Sequence, residues 1–283
     1  MPVKLRMIQA GYCTHPERVV LGRGSWQPCR FPAMVGVIAH PTEGLMLFDT
    51  GYSERFHEET ASFPNLVYAR ITPVFYRPED SVVTQLEALG HRAEDVRHVI
   101  LSHFHGDHIA AVGDFPQARF LCSEEGYAAL RPLTGIAALT KGFLPGLLPE
   151  DFAQRLDPFE TRPKVDLTGK LDPFTTGYDL FGDGTLIAVP LPGHAVGHYG
   201  LLVESEKGPV FLVGDACWTS KSFTEMRLPA PVAQLIFSDR REYARTLRGL
   251  HTLSQERPEV TIVPSHCQDL WESFAREARE AQA

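Results

Sequence analysis

Two kinds of hydrophobic pattern alternate along the chain: short continuous apolar runs, and stretches where apolar residues recur every three or four positions. "MVGVIAH" and "LMLFDT" are of the first kind, and the "PTEG" between them predicts a hairpin whose second strand ends at Asp49. In "EDSVVTQLEALG" the residues Val82, Val83, Leu86 and Leu89 share one helical face, with Asp80 or Ser81 as N-cap and Gly90 as the stop. "HVIL" and "ARFLC" predict buried strands, and "SEEGYAALR" a short helix capped by Ser123. From Pro132 to Asp183 the pattern is lost, interrupted by Pro145, Pro149, Pro158, Pro163 and Pro173. A segment that long without its own periodicity is functional or disordered. Its apolar cluster "GFLPGLLPEDF" favours a packed lid, with Phe143, Leu144, Leu147, Leu148 and Phe152 either roofing a pocket or packing on the body. Strands resume with "TLIAVP", "YGLLVES" and "PVFLVGD"; then come the helix "DRREYARTLRGLHTLSQ", the strand "VTIVPSH" and a closing amphipathic helix, "QDLWESFAREAREA". Strands followed by helix occur twice, which predicts one domain over residues 1–283 made of two similar halves pressed sheet to sheet, with a lid-like insertion at about 132–183.

The densest chemistry lies where "HVIL" runs into "SHFHGDHIA". In extended chain, residues two apart point the same way, so His103 and His105 can face one point. Asp107 and His108 follow at the next turn, which Gly106 is expected to permit. Neutral histidines and a carboxylate packed together gain little by themselves. A divalent cation offsets the cost of desolvating all four.

Composition narrows the remaining options. The 283 residues are 43% hydrophobic, enough for a substantial core, and the formal charge of -8 argues against a nucleic-acid partner. No run approaches the roughly 18 apolar residues of a membrane span, and the start has no apolar signal segment, so the chain is expected to be cytoplasmic. Five cysteines without a CxxC pair suit reduced thiols.

H-x-H-x-D-H after a buried strand resembles the signature of the metallo-β-lactamase superfamily. "LFDTG", "LPGHAVGHYG", "FLVGDA" and "IVPSHC" resemble, in order, four further motifs of that family between about residues 33 and 267. The resemblance implies an αββα sandwich with two metal ions at one sheet edge. It also implies that His103, His105 and His194 bind one ion, Asp107, His108 and His266 the other, and that Asp215 bridges them, with Asp49 bracing the loop. The ions are expected to be zinc, with iron or manganese accepting the same donors, and to present a shared hydroxide to a carbonyl or phosphoryl centre. The complete two-metal set, "LFDTG", and the helices "EDSVVTQLEALG" and "SEEGYAALR" on either side of the metal strand together look most like the N-acyl homoserine lactonases, the quorum-quenching lactone hydrolases. A lactone or related ester with an apolar acyl or aryl group is then the expected small-molecule substrate, the alternatives being a thioester, as for glyoxalase II, or a phosphodiester. Asp107, Asp215 and Trp218 are the catalytic candidates. Trp218 stands where those lactonases usually carry a tyrosine, so its indole is expected to give a weaker hydrogen bond at the carbonyl or to stack on the substrate. His198 is expected to orient a ligand or to bond within its loop. Cys217 and Cys267 neighbour two of the ligands without being needed as donors. His15, His40, His57, His91, His98 and His251 lie outside any motif and read as surface or packing residues. "GRGSWQPCRFP" reads equally as a substrate loop or a plain connection.

Overall fold

In the computed structural model, which describes residues 1–280, the strands divide between two sheets in the middle of the chain. The first seven, β1 (Lys4–Pro16), β2 (Pro28–His40), β3 (Gly44–Phe48), β4 (Val74–Phe75), β5 (Val96–Ile100), β6 (Arg119–Cys122) and β7 (Leu156–Pro158), form one sheet in the order β4-β1-β2-β3-β5-β6-β7. The rest, β8 (Lys164–Asp166), β9 (Thr176–Asp179), β10 (Leu186–Pro190), β11 (Tyr199–Ser205), β12 (Gly208–Gly214) and β13 (Thr261–Pro264), form the other in the order β13-β12-β11-β10-β9-β8. Met34, Ile38, Met46, Phe48 and Ile100 of the first sheet meet Ala188, Leu201, Val203, Leu212 and Val263 of the second in a buried layer. Helices cover both outer faces. The helix Arg240–Glu256, capped by Asp239 whose carboxylate accepts from the backbone N–H of Arg241 and Glu242, buries Leu247, Leu250 and Leu253 at a spacing of three against the second sheet. Each such leucine, taken out of water, contributes about 1.5–3 kcal/mol. The two halves are thus stacked as an αββα sandwich.

The predicted hairpin is β2 and β3, paired antiparallel from Gly36↔Phe48 to His40↔Gly44, and the helix over "SVVTQLEALG" runs Val82–Ala88 and buries Val82 and Leu86. Two stretches differ from expectation. β1, thirteen residues long, is not foreshadowed by the hydrophobic pattern, because its alternation breaks at a register shift between Gln9 and Tyr12, where Gly11 has φ 75°. The irregular segment is also no single lid. It supplies β7 to one sheet and β8 and β9 to the other, and it contains short helices at Gly135–Leu139 and Phe152–Arg155.

The pairing also decides where chemistry can gather. β3 and β5 run parallel, as do β12 and β13, so their C-terminal ends leave Asp49, Ser102, Asp215 and Ser265 at one edge of the sandwich.

Candidate metal centre

β5 delivers the chain in extended form to Ser102, and His103 and His105 then lie on the same side with ring centroids 4.5 Å apart. His105 precedes the helical turn Gly106–Ile109, which carries Asp107 and His108 toward a second point. Gly106 is not needed for an unusual backbone angle, contrary to the sequence expectation. A Cβ there would lie 3.2 Å from both Leu144 and Phe56, so the glycine is there for close packing. Gly142 is a stronger case, since a Cβ at that position would come within 2.6 Å of the His105 ring.

Two groups of side chains converge, His103, His105, His194 and Asp215 in one and Asp107, His108 and His266 in the other, with the donor atoms of each group within 4.8 Å of one another. Asp215 faces both. Its Oδ2 is 3.2 Å from His194 Nε2, and its Oδ1 is 3.3 Å from His108 Nε2 and 3.0 Å from His266 Nε2. His194 Nε2 and His105 Nδ1 are 2.9 Å apart, and His266 Nε2 is 3.2 Å from Asp107 Oδ2. Among the described residues, His103 Nε2, His108 Nε2 and Asp215 Oδ1 are buried without a well-directed hydrogen bond. Each such atom costs about 1–3 kcal/mol when left unsatisfied. Cations bound by these nitrogens and carboxylates would satisfy all three, so the donor set fits a pair of divalent ions.

Behind the donors, a buried network fixes which ring nitrogen faces inward. Asp49, at φ 60° just beyond β3, accepts from Ser102 N at 2.8 Å, from Ser102 Oγ at 2.8 Å and from His108 Nδ1 at 2.7 Å. His103 Nδ1 donates to Ser102 Oγ at 2.9 Å, and His266 Nδ1 to the Pro32 carbonyl at 2.8 Å. In each ring the far nitrogen is held as the donor, so the inner one is the atom that faces a cation. His198 is a brace within its loop: its Nδ1 donates to the Leu191 carbonyl at 3.1 Å while Nε2 accepts from the Asp215 backbone N–H at 3.0 Å. Burial holds its pKa down at about 3, so it stays neutral.

The field differs between the two groups. Burial, then the neighbouring histidines, push His103 well below the ordinary range, and burial likewise lowers His105 and His194, so all three are neutral imidazoles. Around His108 the balance reverses. Burial opposes its charge, but Asp49, Asp107 and Asp215 raise it to about 10, and His266 is raised against burial by Asp215 and Asp107. Burial works against both carboxylates too, yet histidines outweigh it, His266, His108 and His194 at Asp215 and His108 and His266 at Asp107, and both stay ionised. These carboxylates attract positive charge strongly, and a divalent ion meets the same field.

A cavity of about 540 Å³ opens over Asp107, His105, His194, Asp215 and His266. Its walls are mainly apolar: Val19 from the short helix Glu17–Leu21, Phe31 from β2, Ile71 from the helix Leu66–Ile71, Leu139, Trp218, and Val232 and Ile236. None of the lining residues is Lys or Arg. The cavity bears on three readings that the sequence leaves open. Phe143, Leu144, Leu147 and Phe152 do not line the cavity; all four are at most 2% exposed and belong to the core on the outer face of the first sheet. The Trp218 indole does line it, but its N–H donates to Asp215 Oδ2 at 2.8 Å, so it is not free for a substrate carbonyl. In "GRGSWQPCRFP", Phe31 joins the wall while Trp26 is exposed under the Arg18 guanidinium. His15, which no motif marks, also borders the cavity, as does Ile71; neither carries a local signal in the sequence, because β1 and the helix Leu66–Ile71 reach the site only through tertiary packing.

Comparison with known proteins agrees with this geometry. Residues 30–266 match the metallo-beta-lactamase superfamily. An N-acyl homoserine lactonase AttM from Azorhizobium caulinodans is 30% identical, with 97% of each chain covered. Among solved structures, an N-acyl homoserine lactone hydrolase with the product N-hexanoyl-L-homoserine bound at its catalytic metal centre superposes with a TM-score of 0.72 at 21% identity, covering 96% of this chain and 97% of that one. AidC, a dizinc quorum-quenching lactonase, superposes at 0.63 with 16% identity, covering 94% of this chain and 88% of that one.

Proposed function

The chain belongs to the metallo-beta-lactamase superfamily, and on that basis we propose that it is a dinuclear metal-dependent hydrolase that opens N-acyl homoserine lactones or lactones close to them. His103, His105 and His194 would hold one divalent ion, Asp107, His108 and His266 the other, and Asp215 both. Zinc suits these nitrogen and oxygen donors, and iron or manganese accepts them too. Bound there, the ion pair supplies Lewis acidity and a water acidic enough to attack a carbonyl at neutral pH.

The chain's own residues do the rest. Asp49 and Ser102 hold the His108 and His103 rings in the ligating orientation. Asp107, kept ionised and bordering the cavity, is placed to take a proton from the attacking water at a carboxylate oxygen and return it to the leaving alkoxide. Trp218 steadies Asp215 through its N–H. Val19, Ile71, Leu139, Val232 and Ile236 receive the acyl chain, each buried methylene contributing about 0.8 kcal/mol.

The observation that carries this reading is the convergence of seven ligand side chains beneath a cavity with apolar walls. A phosphodiester, or a thioester with an anionic arm, would call for a basic group at the cavity, and its lining has no Lys or Arg. The aryl or acyl tail belongs to a small molecule. No helix among the described residues is long and apolar enough to cross a membrane. The test is turnover of metal-loaded protein on acyl homoserine lactones of graded length, aryl esters, lactoylglutathione and a phosphodiester. The expected result is highest kcat/KM on the lactones, rising with chain length. A clear preference for the thioester or the phosphodiester would overturn the reading.

A further inference from the structure

Few polar groups other than the proposed ligands border the cavity, and most are already engaged. The Trp218 N–H is held by Asp215 at 2.8 Å. The Tyr68 hydroxyl lies beside the Gly106 backbone N–H and the Asp107 carboxylate. Cys13 is buried beside Tyr52, and burial pushes its thiol up to about 12. Thr72, at the end of the helix Leu66–Ile71, has no side-chain hydrogen bond among the described residues, but it offers a single hydroxyl that can turn to either role.

His15 is different. It is half-buried near the end of β1, opposite Cys29 of β2, with its ring 6.4 Å from that of Phe31. It borders the same cavity as Asp107 and His266. Among the described residues no group hydrogen-bonds its ring. Burial, with His266 acting in the same direction, lowers its pKa and keeps it neutral, so it carries one N–H donor and one nitrogen acceptor. A polar ring that still reaches water in an apolar wall loses that water when a ligand fills the cavity, so the ligand must replace the hydrogen bond or leave its loss as a cost.

We propose that His15 is a specificity residue that hydrogen-bonds an oxygen on the acyl arm near the scissile ring. The preferred substrates are then lactones whose acyl chain carries an oxo or hydroxyl group close to the amide, followed by an apolar tail. The walls fit the tail, and His15 adds a polar position to the cavity that the proposed ligands also border. This rests on the lactone-hydrolase reading and adds the substrate class to it.

The test pairs two substrates of equal length, one with a 3-oxo acyl chain and one unsubstituted. kcat/KM is measured on metal-loaded wild type, His15→Leu and His15→Gln. In parallel, binding of the two ring-opened N-acyl homoserines is followed by intrinsic tryptophan fluorescence. A neutral hydrogen bond of ordinary net strength corresponds to a preference of about three- to tenfold. Wild type is expected to prefer the oxo member of each pair by that factor, His15→Leu to bring both ratios close to one, and His15→Gln to keep part of the preference. Equal losses on both members, or no preference in wild type, would overturn the assignment. If His15→Leu does not fold, His15→Phe, which keeps the ring's bulk, gives the same readout. The binding ratio does not depend on turnover. If it shifts with His15 while neither lactone is opened, the lactone-hydrolase reading fails and the role of His15 stands. Efficient opening with ratios near one throughout removes the role of His15 and leaves the lactone-hydrolase reading standing.

Discussion

Asp49→Asn isolates the part of the site that holds no ion yet orients the groups that would. The side chain is 1% exposed and accepts three hydrogen bonds, from Ser102 N, Ser102 Oγ and His108 Nδ1, at 2.8, 2.8 and 2.7 Å. Asparagine keeps the shape and offers one acceptor oxygen. If that oxygen stays on the Ser102 backbone N–H, the amide NH2 faces His108 Nδ1 and Ser102 Oγ, both of which were donating. The simplest relief moves the His108 proton from Nδ1 to Nε2, the atom proposed to bind the cation. Loss of such a supporting partner costs about 10- to 100-fold in metal affinity, which corresponds to about 1.4–2.8 kcal/mol. The loss should fall mainly on the ion held by Asp107, His108 and His266. His103 is linked to Asp49 only through Ser102 Oγ, so the other ion should lose less. Titration against a chelator of known affinity, with metal content read by elemental analysis, should show one of two ions weakened. kcat should fall with it and recover in part at high metal concentration. Two ions retained at wild-type affinity with full activity would refute both the tautomer argument and the assignment of the second group.

Trp218→Phe keeps an aromatic wall but removes the N–H donated to Asp215, a hydrogen bond to a charged group worth about 1.5–3 kcal/mol. It is expected to weaken metal retention about tenfold or more, read by the same chelator titration, and unchanged affinity would show that Asp215 does not need the bond. Leu147→Ala should cost about 2–5 kcal/mol in chemical denaturation, with any change in KM equal for short and long acyl chains, because Leu147 is 1% exposed in the core and not in the cavity. A selective loss on long chains would restore the lid expectation. Ile71→Ser combined with Ile236→Ser should flatten the rise of kcat/KM with acyl length, which at about 0.8 kcal/mol per methylene amounts to roughly fourfold per carbon in wild type. An unchanged slope would place the acyl chain elsewhere.

The proposed ligands sit in motifs that local chemistry makes conspicuous, and that is why they could be named before any fold was known. His103, His105, Asp107 and His108 lie within six positions, so connectivity alone holds them close, and a buried strand followed by a tight turn leaves few ways to point them. The strands and helices with clean periodicity were legible for the same reason, as in Val82 and Leu86 or Leu247, Leu250 and Leu253. Periodicity reports that a face is apolar but not what covers it. The cluster at Phe143–Phe152 therefore read as a lid as easily as a core, and only packing against the first sheet decided the matter. β1 lost its signal at the bulge by Gly11, and with it the position of His15. Parallel pairing of β12 with β13 brings Asp215 beside His266, that of β3 with β5 brings Asp49 beside Ser102, and the stacking of the two sheets sets both at one edge, long-range choices on which no local pattern reports. A hydrogen bond's partner depends on direction across space, so the Trp218 N–H, free in sequence to face a substrate, is committed by the tertiary structure to Asp215. The sequence by itself determined which side chains could bind cations; the tertiary structure decided which neighbours hold them in place, and which residues without any motif line the cavity above.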